Sequence, residues 1–250
     1  MRNLRLLIEY DGAAFAGWQA QTARRTVEGE LRRAVREVTG EEPPVHAAGR
    51  TDAGAHAEGQ VVSLWLASRL APGRLAAALN AHLPIDVAIL AAEEAPPGFH
   101  ARYSVRWRRY RYRYLDRPAR PALDLGRCWH VRGALEVGGM AGAAVAVVGR
   151  HDWTTFCAAS EPERDRVRTV RSADVVRAGR FVELDIVGEG FLRGMVRGLA
   201  GGLADIGHGR RAPAWLGEAL AARDRKLAPR TAPAAGLTLV EVLYDDPAQE

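Results

Sequence analysis

The sequence predicts an α/β fold of the α+β kind, with two pseudo-equivalent halves, each a mostly antiparallel sheet covered by helices. Three observations predict it. Segments with period-two alternation are mixed with segments of helical spacing, without the regular strand-helix-strand order of a Rossmann fold. Two strand-like runs meet at Ala178-Gly179, a hairpin signal with no helix between them. The order of elements in 1–104 is similar to that in 105–250, although no repeat is visible at the residue level.

Each element has a local reason. Leu4, Leu6, Ile8 and Tyr10 alternate with Arg5, Leu7 and Glu9, a strand that stops at the turn signal Asp11-Gly12. Val27, Leu31, Ala34, Val35 and Val38 fall at helical spacing after Thr26 as N-cap, and Gly40 ends the helix. Strands at Val45 to Ala48 and Gln60 to Leu66 enclose the loop Gly49-Arg50-Thr51-Asp52-Ala53-Gly54-Ala55-His56. Pro72 to His82 reads as a helix, broken by Pro84-Ile85-Asp86 before a strand at Val87 to Leu90, and Pro96-Pro97-Gly98 forms a joint.

In the second half the alternation from Tyr103 to Leu115 changes phase. Tyr103, Val105 and Trp107 are apolar at odd positions, whereas Tyr110, Tyr112 and Tyr114 are apolar at even ones. That shift predicts a β-bulge or bend between Trp107 and Tyr110, which singles out Tyr110. A helix over Leu135 to Val148, a strand near Asp152 to Cys157 and a charged loop Arg164 to Arg168 follow. The hairpin strands are Ser172 to Arg177 and Arg180 to Val187. Helices over Phe191 to Leu203 and Pro213 to Arg223 precede a closing strand, Leu237 to Leu243.

Composition narrows the function. A net charge of +5 suits a polyanionic partner, because cations on phosphates supply most sequence-independent affinity for nucleic acid. Lys226 is the only lysine, so where the arginines cluster is more informative than how many there are. Cys128 and Cys157 stand far apart and outside any CxxC pairing, which argues against a disulfide framework or a cysteine zinc site and fits a reducing cytoplasm. Met1 to Gly12 reads as neither signal peptide nor membrane span.

The Asp52 loop puts a carboxylate, a cation and a hydroxyl between two glycines, a place that usually holds chemistry rather than packing. By itself it also fits an Asx-turn joining two strands. A second tract, Arg106-Trp107-Arg108-Arg109-Tyr110-Arg111-Tyr112-Arg113-Tyr114, tips the balance by adding the cations and aromatic faces that RNA binding requires. In Phe191 to Leu203 the apolar positions form a buried stripe, and Arg193 and Arg197, four apart, would share a helix face. No HExxH or His-Cys cluster supports a metal, the histidines read as ordinary polar residues, and Gly188-Glu189-Gly190 matches no nucleotide-binding loop. Ser63 and Ser104 lack a nucleophile-elbow context.

The chain resembles the tRNA pseudouridine synthases of the TruA type. The resemblance rests on the Asp52 loop, Tyr10-Asp11-Gly12 with Gly17-Trp18-Gln19, Thr26 to Leu31, Asn80 with Leu83-Pro84, and Phe99-His100-Ala101-Arg102. It continues through Tyr110-Arg111-Tyr112, Val167-Arg168-Thr169, the Phe191 segment and Gly236-Leu237, nearly the whole chain. Departures are Ala55, where the family often has Val, and Arg193-Gly194 in the variable middle of the FLxxMVR motif. A glycine inside that helix would weaken it by about 1 kcal/mol against alanine.

The resemblance implies the pseudouridine synthase fold with a basic cleft between the halves. It divides the chain into 1–104, carrying the catalytic Asp loop, and 105–250, carrying the tyrosine strand and the FLxxMVR helix. It implies conversion of uridine to pseudouridine at positions 38, 39 and 40 of the tRNA anticodon arm, by a homodimer and without a cofactor or metal. Asp52 would be the catalytic carboxylate, by covalent attack or by proton abstraction toward a glycal-like intermediate. Arg197 would pair with it, since a neighbouring guanidinium favours a carboxylate's ionised form. Arg50 would fill the stack vacated by the flipped base. Tyr110 would lie against the uracil and Leu237 would close the apolar side, with Arg106, Arg108 and Arg111 on the RNA backbone. The competing readings are a non-catalytic tRNA-binding or RNA-chaperone protein, and last a methyltransferase, for which no glycine-rich cofactor loop follows the first strand.

Overall fold

The computed structural model describes residues 1–161 and 164–244. The chain forms two compact units. Among the described residues, one comprises Met1–Arg106 and residues 239–244; the other is Trp107–Thr238.

In the first unit, β1 (Arg2–Tyr10) is followed by α1 (Val27–Thr39), β2 (His46–Ala47), β3 (His56–Leu66), α2 (Pro72–His82) and β4 (Val87–Glu94). β1 lies between β4 and β3 and is antiparallel to both, with Leu4 opposite Leu64 and Leu6 opposite Val62. The alternation read from the sequence is the burial pattern: Leu4, Leu6 and Ile8 are fully buried. α1 begins where the Thr26 hydroxyl accepts the Gly29 N–H and ends at Gly40, whose left-handed backbone donates its N–H to Arg36 O. α2 starts on Pro72 and is tied to β4 by Asn80, whose amide exchanges two hydrogen bonds with the Ile89 backbone at 2.7 and 2.9 Å. β3 is four residues longer than expected at its start, reaching back to His56, whereas β2 is only two residues long.

In the second unit, β5 (Trp107–Leu115), β6 (Trp129–His130), α3 (Val137–Ala144), β7 (Gly149–Asp152), β8 (Val167–Ala178), β9 (Phe181–Gly188), α4 (Met195–Gly207) and α5 (Trp215–Ala222) follow in order. The sheet runs β5-β9-β8-β7, antiparallel throughout, with β6 parallel beside β5. A last strand, β10 (Leu237–Leu243), carries the chain to the first unit's sheet, where it neighbours β3. Tyr110, Tyr112 and Tyr114 form the buried face of β5, and the Tyr114 hydroxyl donates to Ala200 O of α4 at 2.9 Å. Cys128 and Cys157 are buried free thiols. Among the described residues no helix is long and apolar enough to cross a membrane.

Four expectations are corrected. Pairing of β5 with β9 keeps one register from Arg108 to Tyr114, so the bulge expected between Trp107 and Tyr110 is absent from this ladder. The phase change arises because Tyr103 and Val105 precede the strand, and Tyr103 stands in a turn and is 77% exposed. The strand expected near Asp152 to Cys157 ends at Asp152. Beyond it the chain turns, with Phe156 and Cys157 donating to Trp153 O and the Asp152 carboxylate accepting the Thr154 N–H. The helix expected from Leu135 is shorter, α3 followed by a 3-10 turn over Val145–Val147.

The fourth correction concerns α4, which starts at Met195 and not at Phe191. Gly194 precedes it at φ +72°, a left-handed backbone that glycine adopts without a side-chain clash, so it stops the chain before the helix instead of weakening its interior. Arg193 therefore lies outside the helix and shares no helical face with Arg197. Its backbone N–H donates to a Glu161 carboxylate oxygen at 2.6 Å.

Candidate active site

The Asp52 loop is held from three sides within the first unit. At its start the Gln60 amide, fully buried on β3, donates to Gly49 O at 2.7 Å and accepts the Gly49 N–H at 3.3 Å. In its middle the Thr51 hydroxyl bonds the Tyr10 hydroxyl at 2.8 Å at the end of β1, and Thr51 O accepts the Trp18 N–H. At its end the Ala55 N–H closes a turn onto Asp52 O, and the Gly54 N–H donates to Phe15 O. Thr51 is buried and Asp52 half-buried, so the carboxylate sits at the edge of a fixed turn.

Two glycines outside the loop permit this packing. A Cβ on Gly12 would stand 1.8 Å from Ala55 O, and a Cβ on Gly17 would stand 2.9 Å from Thr51 O. Gly17 also has φ +98°, so an L side chain is disfavoured there on both counts. Trp18, 2% exposed, is fixed in turn by α1: its carbonyl accepts the Glu28 N–H. Glu28 is also 2% exposed, and its carboxylate takes the Gln19 side-chain amide and the Ala20 N–H on one oxygen and Arg32 on the other. His56 is buried, and its Nδ1 accepts the Gly12 N–H at 3.0 Å. Gly12, Gly17, Glu28, His56 and Gln60 are thus supports of the site that motif reading did not single out as such. The signal was there: Tyr10-Asp11-Gly12, Gly17-Trp18-Gln19 and Thr26 to Leu31 are the segments now seen to gather around Asp52.

Arg50 is exposed on the same loop and makes no ion pair among the described residues. The remaining predicted residues belong to the second unit. Tyr110 is buried on β5 opposite Ile186, its ring edge-on to Phe191 at 5.1 Å. Arg197 lies in the first turn of α4, half-buried, with its Nε donating to Ala232 O at 2.8 Å. Next to this segment, Gly236 packs against the Tyr112 ring, and Leu237 is buried where β10 begins. Burial pushes the Tyr112 phenol up out of its usual range, opposed by the Arg197 charge, and its hydroxyl donates to Pro233 O.

The three cations proposed for RNA contact differ. Arg106 is exposed, and among the described residues it has no ion pair. Arg108 donates to Glu189 O. Arg111 belongs to a ladder across β5 and β9: Arg109 and Arg111 both bond Asp185, Arg111 also reaches Glu183 at 3.4 Å, and Arg113 bonds Glu183 at 2.8 Å. Cross-strand pairs of opposite charge stabilise a sheet, so Arg111 has a structural role whatever else it touches.

Comparison with known proteins agrees with this architecture. The sequence model of the tRNA pseudouridine synthase family matches residues 6–104 and 143–245. These stretches include Arg50, Asp52, Arg197 and Leu237, while Tyr110 falls between them. Proteins named tRNA pseudouridine synthase A from Brevibacillus brevis and Bradyrhizobium diazoefficiens are each 43% identical to this chain, and one from Caulobacter vibrioides is 44% identical. Each alignment covers 98% of this chain and all of the relative. With both halves matched, and with the glycines and the buried polar supports around Asp52 accounted for, the chain belongs to the tRNA pseudouridine synthase family.

Proposed function

We propose that this chain isomerises uridine to pseudouridine in the anticodon arm of tRNA, at positions 38, 39 and 40, working as a homodimer in the cytoplasm. The observation that carries this reading is family membership together with the Asp52 loop, a carboxylate on a turn braced by buried hydrogen bonds and flanked by an exposed arginine. The reaction breaks the N1–C1′ bond, turns the uracil and joins C5 to C1′. It is redox-neutral: the proton lost from C5 goes to solvent and N1, freed from C1′, takes one up, so that the product is an isomer of uridine.

Asp52 is the catalytic carboxylate in this proposal. Covalent attack and proton abstraction toward a glycal both use its anion at the same position, so either route needs the turn held still. Arg197 serves as its partner guanidinium. A uridine stacked in the anticodon stem must be flipped out, at a cost of a few kcal/mol, and in this proposal Arg50 fills the gap it leaves. Tyr110 offers an aromatic face to the flipped base and Leu237 an apolar one.

The test is Asp52→Asn with tRNA carrying tritium at uridine C5. Loss of tritium release with retained tRNA binding is the expected outcome, and retained turnover rejects the assignment. Arg50→Ala lowers turnover more than affinity, which separates flipping from binding. A wild-type protein that binds tRNA and never converts uridine would instead support the non-catalytic reading.

A further inference from the structure

The segment Phe99–Arg106 is not used by the chemistry proposed above, yet it is built with care in the first unit. Ala101 is fully buried, with its N–H on the Ser63 hydroxyl at 3.0 Å and its carbonyl accepting the Tyr244 hydroxyl at 2.9 Å. The Asn3 amide donates to Phe99 O, and the Phe99 ring packs at a tilt against Tyr244, with centroids 4.8 Å apart. Both Arg102 and Tyr103 donate their backbone N–H groups to His100 Nδ1, at 3.1 and 3.3 Å. The turn is therefore fixed at its base and along its length.

Three rings meet in succession here, His46 of β2 and then His100 and Tyr103 of this turn. His46 and His100 have centroids 4.6 Å apart, and His100 and Tyr103 4.4 Å apart, with tilts of 37° and 33°. Burial, reinforced by the charges of His46 and Arg102, holds His100 below its usual range, and the two N–H donors on Nδ1 favour the same neutral ring. The last of these rings, Tyr103, is 77% exposed. A large ring left open at the tip of an anchored turn is hard to explain by stability, because it buries little apolar surface.

Its neighbours along the chain include two cations. The Arg102 guanidinium lies 5.8 Å from the Tyr103 centroid, and Arg102 and Arg106 are both exposed. Among the described residues neither has an ion pair, in contrast to Arg2, Arg5, Arg25, Arg32, Arg33 and Arg36 of the same unit. A largely exposed ring with the uncompensated charge of Arg102 beside it matches the two chemical halves of an unpaired nucleotide, a π-surface and a phosphate.

We infer that Tyr103, backed by His100 and His46, with Arg102 beside it and Arg106 three residues further along the chain, is a stacking site for an unpaired base of the tRNA, separate from the base that reacts. The inference rests on the reading of tRNA as substrate. It explains why the platform is pre-ordered: a ring already held in place loses little conformational freedom when a base lands on it.

The experiment measures tRNA affinity for Tyr103→Ala, Tyr103→Leu and Tyr103→Phe. Loss of one stacked base weakens affinity by about 5- to 150-fold, so the Ala and Leu variants fall in that range and Phe binds like wild type. Melting temperatures stay unchanged, the slope of log Kd against log salt is kept in Tyr103→Ala, and that slope falls by about 0.7–0.9 in Arg102→Ala. Irradiation of the wild-type complex yields a peptide–nucleotide crosslink at Tyr103. If all three variants bind like wild type while wild type converts uridine, the stacking site is refuted and the function stands. A wild-type protein that does not bind tRNA overturns both. A change in oligomeric state in Tyr103→Ala, with affinity per protomer intact, assigns the ring to a protein interface and overturns the inference.

Discussion

Replacing Gly12 with alanine probes how the turn bearing Asp52 is held. Gly12 opens a short 3-10 turn and is not among the residues of positive φ, so a methyl there adds no backbone strain and its effect is steric. Its Cβ would stand 1.8 Å from Ala55 O and 2.5 Å from the Ala55 carbonyl carbon, backbone atoms that no rotamer change moves aside. Recovering even 3.0 Å to the oxygen takes a shift of about 1.2 Å, and the Ala55 N–H closes the turn onto Asp52 O, so the shift is passed to the carboxylate. A misplacement of about 1 Å costs roughly 100-fold in rate, and overpacking costs about 1–3 kcal/mol in stability. The assay is tritium release from C5-labelled tRNA, read with tRNA affinity and thermal unfolding. Turnover should fall about 100-fold with affinity largely kept, because phosphate contacts elsewhere supply most of it. Gly40→Ala is the matched control. It has φ +73° with nothing within 4 Å of its Cβ, so it loses about 1–2 kcal/mol of stability and no turnover. Wild-type turnover in Gly12→Ala, or equal loss of turnover in both variants, would refute the argument.

Further outcomes follow from individual contacts. Arg106→Ala should lower the salt slope of tRNA binding by about 0.7–0.9, whereas Arg111→Ala should lower unfolding stability, because its guanidinium is engaged by Asp185 and Glu183; equal salt slopes for the two would contradict this division. Glu28→Ala should release the Gln19–Ala20 segment and lower turnover with affinity kept, whereas an unchanged rate would show that Trp18 is fixed without it. The paired Arg177 guanidinium, at 2.6 and 2.7 Å, holds the Asp116 carboxyl below the usual carboxylate range. A depressed pKa contributes stability above the unfolded value of about 3.9 and loses it as pH falls through the folded value. The melting-temperature gap between wild type and Arg177→Gln should therefore be full at neutral pH and close as pH drops below about 4; a gap that persists in acid would trace to packing instead.

Much of the fold could be read from local pattern. The alternation of β1, the Thr26 and Gly40 caps of α1 and the proline start of α2 are each set by residues a few positions apart, and the structure follows them. Misreadings occurred where chance periodicity ran across an element boundary. Tyr103 and Val105 extended the alternation of β5 backward into a turn, and Phe191 extended the apolar spacing of α4 across Gly194, whose left-handed backbone no spacing reveals. At the site, Asp52 and Arg50 stood out because a loop flanked by strands and punctuated by glycine is a local signal. The bracing by Gly12, Gly17 and Gln60 was not legible as bracing, because these residues meet the loop only after the chain has folded back on itself.

By itself, then, the sequence determined the element types, the loop that carries the carboxylate and the family to which the chain belongs. Tertiary structure alone decided which glycines must be bare, which arginines are neutralised by carboxylates some 70 residues away and which stay open to solvent, as Arg111 and Arg106 show. The physical reason is that periodicity states which face of an element turns inward. What that face meets depends on how distant segments are brought together, and a close approach such as Gly12 on Ala55 is a property of the pair.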